Sequence, residues 1–345
     1  MMRLPRFRYH APRTVEEAAK ILAGEGPSAM LVAGGTDLLP NMKRRHQTPE
    51  TLVALRHVDE LRRVRNEQGL TLGSGLTLTD IVRNADVRQQ YTGLWQAAAQ
   101  VATPHLRNMG TLGGNLCLDT RCTYYNQNYE WRRAIDFCMK KDGKICWVAP
   151  SSSRCLAVSS TDTAPALLAL GADIHLVSAA GERTLALEDL YRNDGIDYIT
   201  REPGEILTEV RLERARGWKS SYWKLRRRGS FDFPVLSVAA AARLGDDGTV
   251  ERARIVLGAV ASRPLLCEAA GSHLEGRRLT DGVIADAAVI AAKLAKPMDN
   301  TDFTLHWRKR VTTEFVGLAL RELRGDDMRA QRIRVAGHTL DSAVA

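Results

Sequence analysis

Cys122, Cys138, Cys146 and Cys155 fall within 34 residues, separated by 15, 7 and 8 others. Four thiolates in so short a stretch can hold an iron–sulfur cluster. The spacing matches neither the tight bacterial ferredoxin run nor the plant-type pattern. It also lacks the Cys-x-x-Cys knuckles usual in structural zinc sites. Residue type and spacing therefore leave three readings open: a cluster, a zinc ion, or unrelated buried thiols. Cys117 lies just ahead of the block as a fifth candidate, while Cys267, in Leu265-Leu266-Cys267, reads as a core residue of an apolar helical stretch. The block, residues 118–158, holds six of the chain's twenty aromatics: Tyr124, Tyr125, Tyr129, Trp131, Phe137 and Trp147. Disordered inserts are depleted in aromatics, so this one is expected to fold, its rings shielding whatever the thiols bind.

A second chemistry is suggested by two glycine pairs. Leu31-Val32-Ala33-Gly34-Gly35-Thr36-Asp37-Leu38 leaves a predicted strand through a turn. Glycines let successive backbone N–H groups converge on a phosphate; the alternative is an ordinary strand–turn. Thr111-Leu112-Gly113-Gly114-Asn115 repeats the pattern. Two such loops support each other, because a dinucleotide pyrophosphate needs donors from more than one side. Neither is a Rossmann fingerprint: Gly73-x-Gly75 is followed by Leu78 where a third glycine would stand. Phosphate-loop, His-Glu-x-x-His and Gly-x-Ser-x-Gly motifs are absent, and the eight histidines show no metal spacing. Asp162, at a predicted helix start, reads either as an N-cap or as a carboxylate for flavin ribityl hydroxyls. Lys224, in Tyr222-Trp223-Lys224-Leu225-Arg226, reads either as a solvated strand lysine or as a flavin anchor.

The elements that must position these groups follow from capping and periodicity. Thr14-x-x-Glu17 forms a capping box for a helix that Gly24 closes, with Val15, Ala18, Ala19 and Leu22 at helical spacing. Strands are predicted over 29–33, 51–55 and 70–73, a helix capped by Thr79, and another over 93–102. A helix over 162–170 precedes a hairpin turning at Ala180-Gly181. The texture changes near 214–217. Strands over 221–226, 236–244 and 250–260 follow, with Gly245-Asp246-Asp247-Gly248 as a turn. Helices near 265–274, 281–294 and 302–323 come next, then a tail over 326–345.

Composition narrows the class. The chain has 345 residues, 44% hydrophobic, and a net charge of +9 from 49 basic and 40 acidic residues. One or two domains are expected. No apolar run of 18 residues predicts a membrane span. The basic N-terminus, with Pro5 and Pro12, lacks an apolar signal core, so a cytoplasmic protein with reduced thiols is expected. The charges are interspersed, without the aromatic-lined basic stripe of a nucleic-acid binder. The insert carries seven basic residues (Arg121, Arg132, Arg133, Lys140, Lys141, Lys144, Arg154) against Asp119, Glu130, Asp136 and Asp142, a net +3. Such a face would steer an acidic partner.

Taken together, the glycine loops, Ala102-Thr103-Pro104, Arg107-Asn108, Ser160-Thr161-Asp162 and Lys224 resemble the FAD-binding medium subunits of the molybdenum hydroxylase family, relatives of xanthine oxidase and aerobic carbon monoxide dehydrogenase. The similarity spans about 1–325. It implies an α+β fold: a two-part FAD-binding domain of the vanillyl-alcohol-oxidase-like type over 1–216, then a C-terminal domain of antiparallel strands and helices over 217–325. By this resemblance residues 31–38 and 111–115 are the pyrophosphate loops, with Thr103 beside them. Asp162 binds the ribityl chain and Lys224 lies near the flavin. Typical members run from the second loop straight into the Ser-x-Asp segment; here 118–158 intervenes. That insert is similar to the one in the beta subunit of the 4-hydroxybenzoyl-CoA reductase branch, where it binds a [4Fe–4S] cluster. Cys122, Cys138, Cys146 and Cys155 are then the ligands and Cys117 is not. The resemblance implies an oxidoreductase subunit with no catalytic residue of its own, passing electrons inward from reduced ferredoxin. Its partners would be a small [2Fe–2S] subunit and a large molybdopterin subunit, in a dimer of heterotrimers, with no nucleic acid or membrane contact. Two alternatives stand beside it: a subunit passing electrons outward, and a non-catalytic metal-stabilised interaction subunit.

Overall fold

The computed structural model describes residues 3–337 of the 345. Three sheets follow one another along the chain. The first holds β1 (Arg8–His10), α1 (Val15–Glu25), β2 (Ala29–Val32), α2 (Leu38–Lys43) and β3 (Thr51–Ala54), with parallel strands in the order β1-β3-β2. Thr14 caps α1 by accepting from the Glu17 N–H. Glu17 bonds the N–H of Arg13, not that of Thr14, so the capping box is half formed. The helix closes at Gly26 (φ 68°) instead of Gly24, because only the later glycine takes the cap conformation. Val15, Ala18, Ala19 and Leu22 are buried as their spacing predicted.

The middle part comprises β4 (Val64–Arg65), β5 (Leu70–Gly73), α3 (Leu78–Arg83), α4 (Ala85–Gln90), α5 (Thr92–Ala99), α6 (Pro104–Arg107), α7 (Leu112–Leu116), α8 (Tyr129–Ala134), α9 (Thr163–Ala169), β6 (Asp173–Ser178), β7 (Gly181–Ala186) and β8 (Ile206–Leu212). Its antiparallel sheet runs β4-β5-β8-β6-β7, and β6–β7 is the expected hairpin. Thr77, not Thr79, caps α3: it forms a complete capping box with Asp80, while the Thr79 hydroxyl donates to Asn108. α5 stops at Ala99, short of Ala102, which has a φ of 44°, a left-handed value uncommon outside glycine.

The last part comprises β9 (Trp218–Leu225), β10 (Leu236–Leu244), β11 (Val250–Gly258), β12 (Leu265–Leu266), α10 (Glu268–Leu274), α11 (Asp281–Leu294), α12 (Leu305–Arg324) and α13 (Arg329–Gly337). Its antiparallel sheet runs β12-β11-β10-β9. Leu265-Leu266 is strand, not helix; Cys267 is buried, as expected, at the start of α10. Successive strand side chains point to opposite faces. Val238, Ala240 and Ala242 pack with Ala287 and Phe315 from α11 and α12. Ala239, Ala241 and Tyr222 face the core of the middle part, which includes Leu94 and Leu167. One sheet thus has an apolar core on each side. The expected tail is instead helical as far as Gly337, held by Arg332, which donates to Glu322 and to the Tyr222 carbonyl; residues 338–345 of that expected tail lie outside the described residues. Among the described residues no helix is long and apolar enough to cross a membrane.

Candidate functional site

β2 carries Leu31 and Val32 up to the first glycine loop, and α2 begins at Leu38. Among the described residues, no protein acceptor takes the backbone N–H groups of residues 34–38. Unpaired donors in succession, with Gly35 at a φ of 69°, form an anion nest. The second loop differs. Leu112 N–H donates to Leu76 O (2.9 Å), Gly113 N–H to Ser74 O (2.8 Å), Asn115 N–H to Thr111 O (2.9 Å) and Gly114 N–H to Thr111 Oγ1 (3.1 Å). Four of its five backbone donors, all but that of Thr111, are spent on its own scaffold, so its part is chiefly to position. A Cβ at Gly34 would overlap the carbonyl oxygen of Met109, so the two loops meet backbone to backbone. Asn115 Oδ1 accepts from Thr161 Oγ1 (2.8 Å), Thr163 N (3.0 Å) and Thr163 Oγ1 (2.7 Å), tying the second loop to the segment before α9.

That segment ends at Asp162, whose side chain makes no cap bond. Its carboxylate accepts from Lys224 Nζ at 2.9 Å and from Tyr222 Oη at 2.6 Å, and both charged side chains are almost wholly buried. Lys224 is therefore not a solvated strand lysine. It lies two residues from Tyr222, on the same face of β9, and that face is pressed onto the middle part. Burial pushes the Asp162 carboxyl up and the Lys224 ammonium down, and their mutual attraction offsets part of each shift. Lys224 Nζ and Arg226 also donate to the Gln100 carbonyl (3.1 and 3.2 Å), which brings the 100–103 segment, with Thr103 capping α6, to the same place. Two residues before Asp162 in the chain, the Ser160 hydroxyl is buried and has no partner among the described residues, a group suited to a ligand hydroxyl. Tyr222 and Ser160 were missed in the sequence reading; the strand period shared by Tyr222 and Lys224 was the available signal.

The insert folds around its thiols. All four cysteines are buried and none forms a disulfide. Cys122, Cys138 and Cys155 pack with Tyr125 and Ala157 under Tyr124, Met139 and Trp147. Cys146 and Cys138 are near enough to raise the Cys155 thiol electrostatically. The loop after Cys138 is tight: the N–H groups of Lys141 and Gly143 both donate to the Cys138 carbonyl (2.9 and 3.0 Å), and a Cβ at Gly143 would lie 2.7 Å from Cys138 N. Cys117 packs against the middle core instead. Burial pushes the Cys122 thiol up to about 12 and the Cys155 thiol up to about 11, so both stay protonated unless a metal takes the proton's place. Among the described residues, no three His, Cys, Asp or Glu side chains stand at the spacing of a single metal ion. A tetrahedral zinc with Zn–S bonds of about 2.3 Å draws its thiolates to about 3.8 Å from one another. A four-iron cubane, with irons and sulfides between, holds them farther apart. Four buried, unbridged thiols are soft donors of the kind that either group takes.

The expected +3 face does not form. Arg121, Arg132 and the Lys140 side chain are buried, as is Asp119. Lys140 Nζ donates to Asp119 (2.8 Å), Thr120 (2.8 Å) and the Gly195 carbonyl (2.6 Å), anchoring the insert to the middle part. Four basic residues (Arg133, Lys141, Lys144, Arg154) and three acidic ones (Glu130, Asp136, Asp142) remain towards solvent, a net +1.

Tyr125 also stacks on His46, with ring centroids 4.3 Å apart. His46 is buried, and burial, followed by the charges of Arg132 and Arg44, pushes its pKa down to about 4. A histidine depressed on folding binds fewer protons folded than unfolded between pH 4 and 6.5. Its stabilising contribution is present above pH 6.5 and lost as pH falls through 4. The expected loss is about 1–2 kcal/mol after allowance for solvent screening. His46→Phe, which keeps the stack, should flatten the fall in melting temperature between pH 6.5 and 4.

Residues 5–213 match the family described as the FAD binding domain in molybdopterin dehydrogenase, and residues 220–323 match the CO dehydrogenase flavoprotein C-terminal domain. The chain is 33% identical over 279 residues to the aldehyde oxidoreductase FAD-binding subunit PaoB of Escherichia coli (strain K12), covering 78% of this chain and 86% of that one. It is 28% identical over 319 residues to the carbon monoxide dehydrogenase medium chain of Hydrogenophaga pseudoflava, covering 92% and 96%. Among solved structures, carbon monoxide dehydrogenase from Hydrogenophaga pseudoflava superimposes with a TM-score of 0.77 at 27% identity, over 93% of this chain and 98% of that one. Quinoline 2-oxidoreductase from Pseudomonas putida 86 gives 0.73 at 25% identity, over 93% and 98%.

Proposed function

The chain belongs to the FAD-binding medium subunits of the molybdenum hydroxylase family, and from that premise we propose that it is an electron-relay subunit carrying FAD and a [4Fe–4S] cluster. The observation that carries this reading is the burial of four unbridged cysteines in one aromatic-lined insert of a flavin-binding chain. When bound, the flavin supplies exchange between one- and two-electron steps, and the cluster supplies one-electron transfer within a range of about −700 to +450 mV.

The residues divide the work. The N–H groups of residues 34–38 bind the pyrophosphate, and residues 111–115 hold that loop in place. Asp162, Ser160 and Lys224 orient the ribityl chain and the ring. Cys122, Cys138, Cys146 and Cys155 hold the cluster, while Tyr124 and Trp147 exclude water. Residues 1–216 form the FAD domain, of the vanillyl-alcohol-oxidase-like type, with 118–158 as its cluster insert, and 217–325 form the C-terminal medium-subunit domain. Substrate chemistry belongs to a large molybdopterin subunit reached through a small [2Fe–2S] subunit, in a dimer of heterotrimers in the cytoplasm.

The finer reading is of the 4-hydroxybenzoyl-CoA reductase type: electrons run inward from reduced ferredoxin for reductive dehydroxylation to benzoyl-CoA. It rests on the four-cysteine insert. A second reading, outward flow from an oxidised substrate, is favoured by relatives named as an aldehyde oxidoreductase, a carbon monoxide dehydrogenase and a nicotinate dehydrogenase. The near-neutral outside of the insert also offers little to steer ferredoxin.

The test is iron, zinc and FAD content with an EPR spectrum of the anaerobic, dithionite-reduced protein. About four iron per FAD, with the reduced-cluster signal lost in Cys138→Ala, is expected; FAD without iron would overturn the cluster. Turnover of the assembled enzyme separates the directions: benzoyl-CoA formed at the expense of reduced ferredoxin supports the first, and aldehyde-dependent acceptor reduction the second.

A further inference from the structure

We propose that Arg121 is a positioning residue that couples order in the cysteine insert to FAD affinity, by neutralising Asp37 inside the first glycine loop. The inference rests on the reading of that loop as the pyrophosphate site. Arg121 directly precedes Cys122, and its backbone closes the neck of the insert: Arg121 N–H donates to Val158 O (2.8 Å) and Val158 N–H to Arg121 O (2.7 Å). Its buried side chain reaches out of the insert. The guanidinium pairs with Asp37, donates through Nη1 to Asn41 Oδ1 (3.1 Å), and lies 5.1 Å from the ring centroid of Phe233 in the β9–β10 loop. Asn41 Nδ2 in turn donates to Asp37 Oδ2 (3.1 Å). Insert, first loop and last sheet therefore meet on one guanidinium.

The physical need is plain. Asp37 places a carboxylate within a loop whose free N–H groups are arranged for an anion, and an uncompensated carboxylate there repels a pyrophosphate. Arg121 cancels that charge. Its Nε–H is buried with no acceptor among the described residues, leaving one further donor beside the loop. A buried guanidinium is held only by its set partners, and Arg121 cannot keep them if the neck at Cys122 shifts. Disorder among the cysteines should therefore reach the flavin site through this side chain.

The test is a double-mutant cycle on FAD affinity, measured by flavin absorbance during reconstitution of the full-length chain. Arg121→Met and Cys138→Ser are each expected to weaken FAD by about tenfold, within the usual range of coupled neighbours. The double variant should be no weaker than Arg121→Met alone, and Arg121→Lys, which keeps the charge, should recover part of the loss. Wild-type affinity in Arg121→Met, or losses that simply multiply, would overturn the proposal. If Arg121→Met does not fold, the cycle is read with Arg121→Lys, whose single ammonium cannot hold Asp37 and Asn41 together. Wild-type protein without iron sinks the cluster but leaves the cycle readable, because Cys138→Ser disturbs the insert either way. Wild-type protein that binds no FAD overturns both.

Discussion

Lys224→Met is expected to release FAD and to destabilise the chain by about 3–5 kcal/mol, the cost of leaving one member of a buried ion pair alone. Among the described residues Asp162 would keep only the hydroxyl of Tyr222 as a hydrogen-bond partner, in a place where burial already raises its carboxyl. Stability and cofactor binding can be separated. Lys224→Met with Asp162→Asn removes both charges, and replacing a buried pair as a unit is often nearly neutral. The double variant should therefore regain most of the urea midpoint while FAD stays weak. Full FAD affinity in either variant would show that the pair is structural only.

Gly34→Ala is the second large effect. The new Cβ would overlap the Met109 carbonyl oxygen and lie 2.5 Å from its carbon. Those are backbone atoms, which cannot swing aside as a side chain does. Relief requires the two loops to part, at about 1–3 kcal/mol for an overpacked site, and the movement falls on the nest itself. FAD affinity is expected to drop by at least about tenfold, the equivalent of about 1.4 kcal/mol. Gly114→Ala is the control: its Cβ would meet only the Thr111 hydroxyl, at 3.0 Å, and the position is exposed. The two glycine pairs look alike in sequence, yet only the first should respond strongly. Equal titrations of FAD into the two variants would refute the division of labour between the loops.

Much of the local structure was legible because its causes are local. Thr14 and its helical stripe, the Ala180-Gly181 hairpin and the Gly245–Gly248 turn depend on residues within a few positions of one another. The misplaced cap at Thr79 was also a local matter: Asp80 lies three residues after Thr77, and that pairing marks the true start. Lys224 was harder. Alternation puts it on the face of Tyr222, but β9 and β10 have apolar cores on both sides, so no polar face marks the side toward Asp162.

By itself, then, the sequence determined the two glycine loops, the four thiols in one insert, and the strands and helices that bring them up. Tertiary structure alone decided which loop has free N–H groups, that Lys224 and Asp162 meet, and that Arg121, Arg132 and Lys140 turn inward. The reason is distance along the chain. A charge run looks solvated until its partners arrive, and Asp37 reaches Arg121, as Asp162 reaches Lys224, only after the sheets have packed. Burying such charges is tolerable only once those partners are in place, and no short window of sequence contains both halves of either pair.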